Sequence, residues 1–244
     1  MKRKLLVFFG ILILVSIAFV KYVPVKSDSE KETIIIKQQE VVSPSEEKEE
    51  TYISPINDLI SKYNNSDIIA ELKISSIGLD DIITKTDNNE FYLKHNIYKK
   101  SSIIGNPYID YRNGNNLDKE RQINIYGHNS NNKSNKAKFT FSKLENYLNK
   151  DTFNNSDYIY LYTKDKLIKY EVYAVKIIKN DNEHTILDSV SDTKWQSHLD
   201  KLLKNTLYCK DNCSLKSDDQ LLILQTCYFK PSGSYILVIA RKVI

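Results

Sequence analysis

Apolar residues fall on one helical face in "SPINDLISKYNN" (54–65), where Ile56, Leu59, Ile60 and Tyr63 line up behind a Ser54-Pro55 start signal. The period then shortens. "IIAELKI" (68–74), "QINIY" (122–126), "YIYLYT" (158–163), "LIKYEVYAVKII" (167–178), "QLLILQ" (220–225) and "YILVIARKV" (235–243) alternate or are rich in Ile, Val and Tyr, and predict strands. Asp165-Lys166 separates two of them as a short hairpin turn. The helical period returns twice. "FSKLENYL" (141–148) aligns Phe141, Leu144 and Leu148, and "SDTKWQSHLDKLLKN" (191–205) aligns Trp195, Leu199, Leu202 and Leu203 behind Asp192 as N-cap. Many strands with short connections predict a mainly β body, an antiparallel barrel or sandwich, with Trp195 anchoring its helix on the sheet.

The ends of the pattern differ from the body. Lys2, Arg3 and Lys4 precede an apolar run from Leu5 to Val20, whose helix would span about 24 Å. Residues 1–26 therefore read as an uncleaved anchor with the N-terminus inside and the body outside, a single pass through a cell membrane. The competing reading is a signal peptide cut after Ser16-Ile17-Ala18. Residues 27–50 hold eight acids against three lysines, with one apolar cluster at Ile34–Ile36, and read as an acidic disordered stalk. The body, 51–244, is one domain.

Charge narrows the function classes. The whole chain carries +4, too mild for nucleic acid, and no arginine stripe or zinc-ligand spacing supports that class. Three cysteines leave at least one thiol over, whether Cys209 and Cys213 in "LYCKDNC" pair or stay reduced. Cys227, ending "LLILQTC", is either a small hydrophobe closing a core strand or a nucleophile at the strand's exposed end. A nucleophilic thiol needs a base, usually histidine. His198 beside Leu199 reads as solvent-facing, His184 as a loop residue without apolar support, and His95 as an exposed turn residue. His128 differs, because "QINIYGHNSNN" is a strand that leaves through Gly127 and presents His128 at its end, as the other strand presents Cys227.

"IYGHN", then "LQTC" far downstream and a final apolar strand, resemble the sortases, cysteine transpeptidases of Gram-positive cell surfaces. "YIDYRNGNN", "FSKLENYLNKDTF" and "IIAELKISSIGLDDIITKTDNNEFYLKHN" resemble class B members, over about residues 54–244. The resemblance implies a closed β-barrel of about eight strands, with an N-terminal helix and a long helix before the last two strands. It implies cleavage of a C-terminal sorting signal after threonine through a thioester on Cys227, with His128 as acid and base. The protein would then pass to a peptidoglycan precursor amine. The partners are surface proteins bearing that signal, the precursor amine and the membrane through the N-terminal helix, with no metal or cofactor required. The family's Thr-Leu-x-Thr-Cys motif reads Ile223-Leu224-Gln225-Thr226-Cys227 here. Its final-strand arginine falls on Tyr235, counting back from Ala240, and Arg241 lies six residues on, about 20 Å at strand rise. Thr226 and Tyr235 are thus the expected substrate contacts. The Ser-His-Gly-Cys cluster of L,D-transpeptidases is lacking, and His128 precedes Cys227, the reverse of NlpC/P60 peptidases. A non-catalytic anchored binding protein on the same scaffold is the alternative from another class.

Overall fold

The computed structural model describes residues 52–179, 184 and 190–243. Among these residues nine strands form one sheet: β1 (Ile68–Ile74), β2 (Leu79–Thr84), β3 (Tyr108–Ile109), β4 (Gln122–Gly127), β5 (Tyr158–Thr163), β6 (Leu167–Ile178), β7 (Tyr208–Cys209), β8 (Leu221–Tyr228) and β9 (Ser234–Lys242). Their order is β5-β1-β2-β3-β4-β8-β9-β6-β7, and β5 also pairs with β6. Eight strands therefore close into a barrel, and β7 hangs on the outer edge of β6. Among the described residues five α-helices decorate it: α1 (Ile56–Tyr63), α2 (Phe91–Lys94), α3 (Lys133–Lys136), α4 (Lys150–Asn154) and α5 (Asp192–Leu203). The 141–148 segment is a 3-10 helix, Thr140–Leu148, rather than an α-helix.

Two pairings, β2–β3 and β4–β8, are parallel, where antiparallel neighbours were expected. Parallel partners need a crossover, and the long stretch from β4 to β8 supplies one. β8 and β9 read as unbroken apolar runs because both faces are covered. Leu222, Leu224, Ile236, Val238 and Ala240 fill the barrel interior. Leu221, Ile223, Leu237 and Ile239 lie beneath Trp195, Leu199, Leu202 and Leu203 of α5. The α5 stripe thus packs as its spacing implies. Its cap differs: Ser191 Oγ accepts from the Lys194 N–H at 3.4 Å, while Asp192 opens the helix and pairs with Arg121 at 2.5 Å.

Cys209 and Cys213 are joined as a disulfide, and Cys227 is the free cysteine among the described residues. The expected anchor (1–26) and stalk (27–50) lie outside the described residues. Among the described residues no helix is long and apolar enough to cross a membrane, so the single-pass membrane placement is corrected and not retained.

β2 escapes the periodicity because Asp80 and Asp81 interrupt it, and acidic residues are poor strand formers. Asp81 carries a cost for being there. Burial pushes its carboxyl up to about 6, against a hydrogen bond from Thr140 and the charge of Lys143, and its Oδ2 has no hydrogen-bond partner. An unfolded aspartate titrates near 3.9, so between about pH 4 and 6 the folded chain holds a proton that the unfolded chain has released. Stability must fall as pH rises through that window, by at most about 3 kcal/mol. Asp81→Asn is expected to raise the melting temperature at pH 7.5 and to flatten its dependence between pH 4 and 6. A variant that melts at or below the parent at pH 7.5 contradicts this.

Candidate active site

β4 and β8 run parallel with Gly127 opposite Thr226, so the next residues, His128 and Cys227, leave two adjacent strands at one level. Adjacent strands lie about 4.8 Å apart. The Thr226 hydroxyl donates to the Gly127 carbonyl at 2.8 Å and ties the two ends together. Asn129 Nδ2 donates to the Cys227 carbonyl at 2.8 Å and to Glu145 Oε1 at 2.7 Å, fixing the backbone that carries the thiol. On the other side β9 is antiparallel to β8 and sets Tyr235 opposite Cys227.

Gly127, His128, Thr226, Cys227 and Tyr235 share one cavity of about 450 Å³, lined also by Asn89, Leu93, Tyr108, Arg112, Tyr126 and Gln225. A volume of that size suits a peptide segment. A larger groove of about 870 Å³ shares none of this lining and holds no cysteine or histidine.

Burial pushes the Cys227 thiol above its ordinary value. Burial thus favours the neutral thiol over the thiolate. The His128 ring has Nε2 2.8 Å from the Leu93 carbonyl oxygen. A carbonyl only accepts, so Nε2 carries the proton in this contact and Nδ1 is the basic nitrogen. Gly105 makes room for the ring. At φ +63 to +73 the described positive-φ glycines suit only small residues, and a Cβ on Gly105 would stand 2.5 Å from the Tyr92 carbonyl and 3.1 Å from His128 Cδ2. Gly127 is required for a different reason from the sharp exit that the sequence suggested. Its Cβ would sit 2.3 Å from Cγ of the Phe141 ring.

Arg112 lines the cavity and is fixed by an ion pair with the buried Asp110. Arg112 donates from Nε to Asp110 Oδ1 at 2.9 Å and from Nη2 to Oδ2 at 2.6 Å. Tyr126 donates its hydroxyl to the same carboxylate at 2.8 Å. Burial alone would raise the Asp110 carboxyl, but the bonds from Arg112 and Tyr126 win and hold it at about 2. Burial also pushes the Tyr108 and Tyr126 phenols up, so both stay neutral donors at working pH.

All four site residues expected from the sequence, His128, Thr226, Cys227 and Tyr235, line this cavity. Arg241 does not. It stands opposite Leu221, bonds Glu171 at 2.5 Å and Asp211 at 2.7 Å, and lies over the Tyr173 ring. Three histidines differ from expectation. His198 is buried, stacks on Trp195 and donates from Nε2 to Gln122 Oε1 at 2.9 Å, because α5 turns that face onto β4. His184 is also buried, and its carbonyl accepts from Gln122 Nε2 at 2.7 Å. His95 is half-buried and stacked on Phe91. Sequence reasoning missed Arg112, Tyr108 and Tyr126 as cavity residues. The signal that could have found them is the pairing of the brief strand "YI" with β4, which carries the Asp110–Arg112 turn to the cavity wall.

A family model described as the sortase domain matches residues 72–243. Sortase B of Listeria monocytogenes is 29% identical over 165 residues, which is 67% of this chain and 63% of that protein, so the match spans less than two thirds of the relative. The crystal structure of Clostridium perfringens sortase B superposes with a TM-score of 0.68 at 25% identity, covering 77% of this chain and 99% of that one. A Staphylococcus aureus sortase B–substrate complex shares the fold at a TM-score of 0.68 and 20% identity, over 79% of this chain and 87% of that one.

Proposed function

The chain belongs to the sortase family, class B, and from that premise we propose that it is a cysteine transpeptidase acting on proteins with a C-terminal sorting signal. The observation that carries this reading is the meeting of His128 and the free thiol of Cys227 at the ends of two parallel strands, within one cavity. His128 Nδ1 takes the thiol proton as the sulfur attacks the carbonyl carbon of the signal's threonine. The tetrahedral oxyanion is held by backbone N–H groups after Cys227 and by the Tyr235 hydroxyl. As the C–N bond breaks, the His128 proton goes to the leaving amine and a thioester remains on Cys227. An amine of a peptidoglycan precursor then attacks the thioester, loses its proton to His128, and leaves with the threonyl group as a new amide. The thiol is regenerated, and the covalent route divides one difficult acyl transfer into two easier ones.

A second reading is favoured by one feature. A phenol, not a guanidinium, faces Cys227 across β8 and β9. A sortase-like binding protein with impaired catalysis would have that arrangement. One experiment separates the two. The 51–244 body is incubated with a library of sorting-signal peptides and an amine acceptor, and products are read by mass spectrometry. A thioester adduct on Cys227 together with an amide product supports the transpeptidase. Peptide binding by a folded protein that never forms the adduct supports the second reading.

A further inference from the structure

Among the described residues lining the Cys227 cavity, Arg112 is the one with a permanent positive charge, and no aspartate or glutamate stands among them. Its carboxylate partner is not in the cavity. Asp110 has a side-chain exposure of 0%, whereas that of Arg112 is 29%, so the pair shows its cationic half to the open space. The guanidinium is held rigidly, by a two-point contact to a carboxylate that Tyr126 and the Arg112 backbone N–H also grip. Of its five N–H donors, Asp110 takes two. The remaining three meet no protein acceptor among the described residues. A pinned guanidinium with a free edge matches the geometry of a carboxylate, which accepts two parallel N–H bonds.

We propose that Arg112 is a substrate-binding residue of this cavity, and that it recognises a carboxylate carried by one of the two peptides of the reaction, the sorting signal or the amine acceptor. This deepens the transpeptidase reading and rests on it for the identity of the ligands. It also assigns the cavity's cation to the β3–β4 turn, since Arg241 is committed to Glu171 and Asp211. The competing explanation is purely structural: the pair locks the turn, and the free donors face water.

The test uses paired ligands that differ only in charge. On the acceptor side the probes are triglycine and triglycinamide; on the donor side they are signal peptides with glutamate or glutamine at each position preceding the threonine. Binding is measured by calorimetry on the Cys227→Ala protein, which reports without turnover, and KM is measured on the parent. The expected result is about tenfold or greater preference for the carboxylate form in one arm, with kcat nearly unchanged. That preference should vanish in Arg112→Gln and shrink in Arg112→Lys, which keeps the charge and loses the fork. Asp110→Asn/Arg112→Gln removes both charges together, so no buried carboxylate is orphaned if the single variant fails to fold. Preference in the acceptor arm assigns the carboxylate to the amine, and in the donor arm to the signal. No preference in either arm, or a preference that survives loss of Arg112, overturns the proposal. Binding preference without any turnover leaves the anion site standing and removes the transpeptidase reading instead.

Discussion

Replacing Cys227 by alanine should abolish acyl transfer, by at least about a thousandfold, while the melting temperature stays within a few degrees. The two halves of this expectation have separate physical grounds. In the proposed mechanism activity depends on one atom, because the thioester would need the sulfur and no other described cysteine is free. Stability does not depend on it in the same way. Cys227 is half-buried at the end of β8, beyond Leu224, the last β8 residue of the interior cluster. Truncating it opens the cavity slightly rather than leaving a void in the core, where loss of a large side chain typically costs about 2–5 kcal/mol. Intact-protein mass spectrometry with a signal peptide reads the adduct, and a thermal melt reads the fold. Transfer that persists in the alanine protein would remove Cys227 from the mechanism. A melting temperature lowered by ten degrees or more would mark it as a core thiol.

Much of the barrel was legible because hydrophobic burial has a period. β1, β4, β5, β6, β8 and β9 each show an apolar run or an alternation long enough to stand out, and α5 shows its stripe at Trp195, Leu199 and Leu202. What was not legible is short or locally disguised. β3 and β7 have two residues each, below the length at which a period exists, and β2 hides behind Asp80 and Asp81. His198 was misread because one helix face was judged from its own sequence. Its burial is decided by Gln122 on β4, which offers an acceptor 76 residues away in the chain. The candidate site divides in the same manner. Strand ends at Gly127-His128 and Thr226-Cys227 are visible in sequence, and the parallel register of β4 and β8 makes them neighbours. Arg112 sits in a loop with no periodic signature. Only the closure of β3 onto β4 carries it to the cavity, so a tertiary contact, not a local pattern, makes it a candidate.

Tyr235→Arg is expected to raise turnover by about a hundredfold, whereas Arg241→Ala should leave turnover nearly unchanged. The register of the last two strands is the reason. Cys227 pairs with Tyr235, and Leu221 pairs with Arg241, so the two candidates stand at opposite ends of β9. Sliding β9 to bring Arg241 to the thiol would carry Ile236, Val238 and Ala240 out of the barrel interior, which no local gain offsets. Arg241 is moreover held by Glu171 and Asp211 and lies 4.7 Å from the Tyr173 ring centroid, which marks it as a strut between β9, β6 and the disulfide loop. Its removal should cost stability on the order of 1 kcal/mol, since the pairs are partly exposed, and little else. A phenol at 235 offers the developing oxyanion one neutral hydrogen bond. A guanidinium there would offer a charge and a second donor, and each such transition-state donor is typically worth about a hundredfold or more. The parent enzyme should therefore be slow, with the gain from arginine appearing in kcat rather than in KM, because the charge it stabilises exists only in the transition state. Steady-state kinetics of the three proteins on one peptide pair decides the matter. If Arg241→Ala loses activity with its fold intact while Tyr235→Arg gains none, the third group of the site is Arg241, and the strands must rearrange to bring it there.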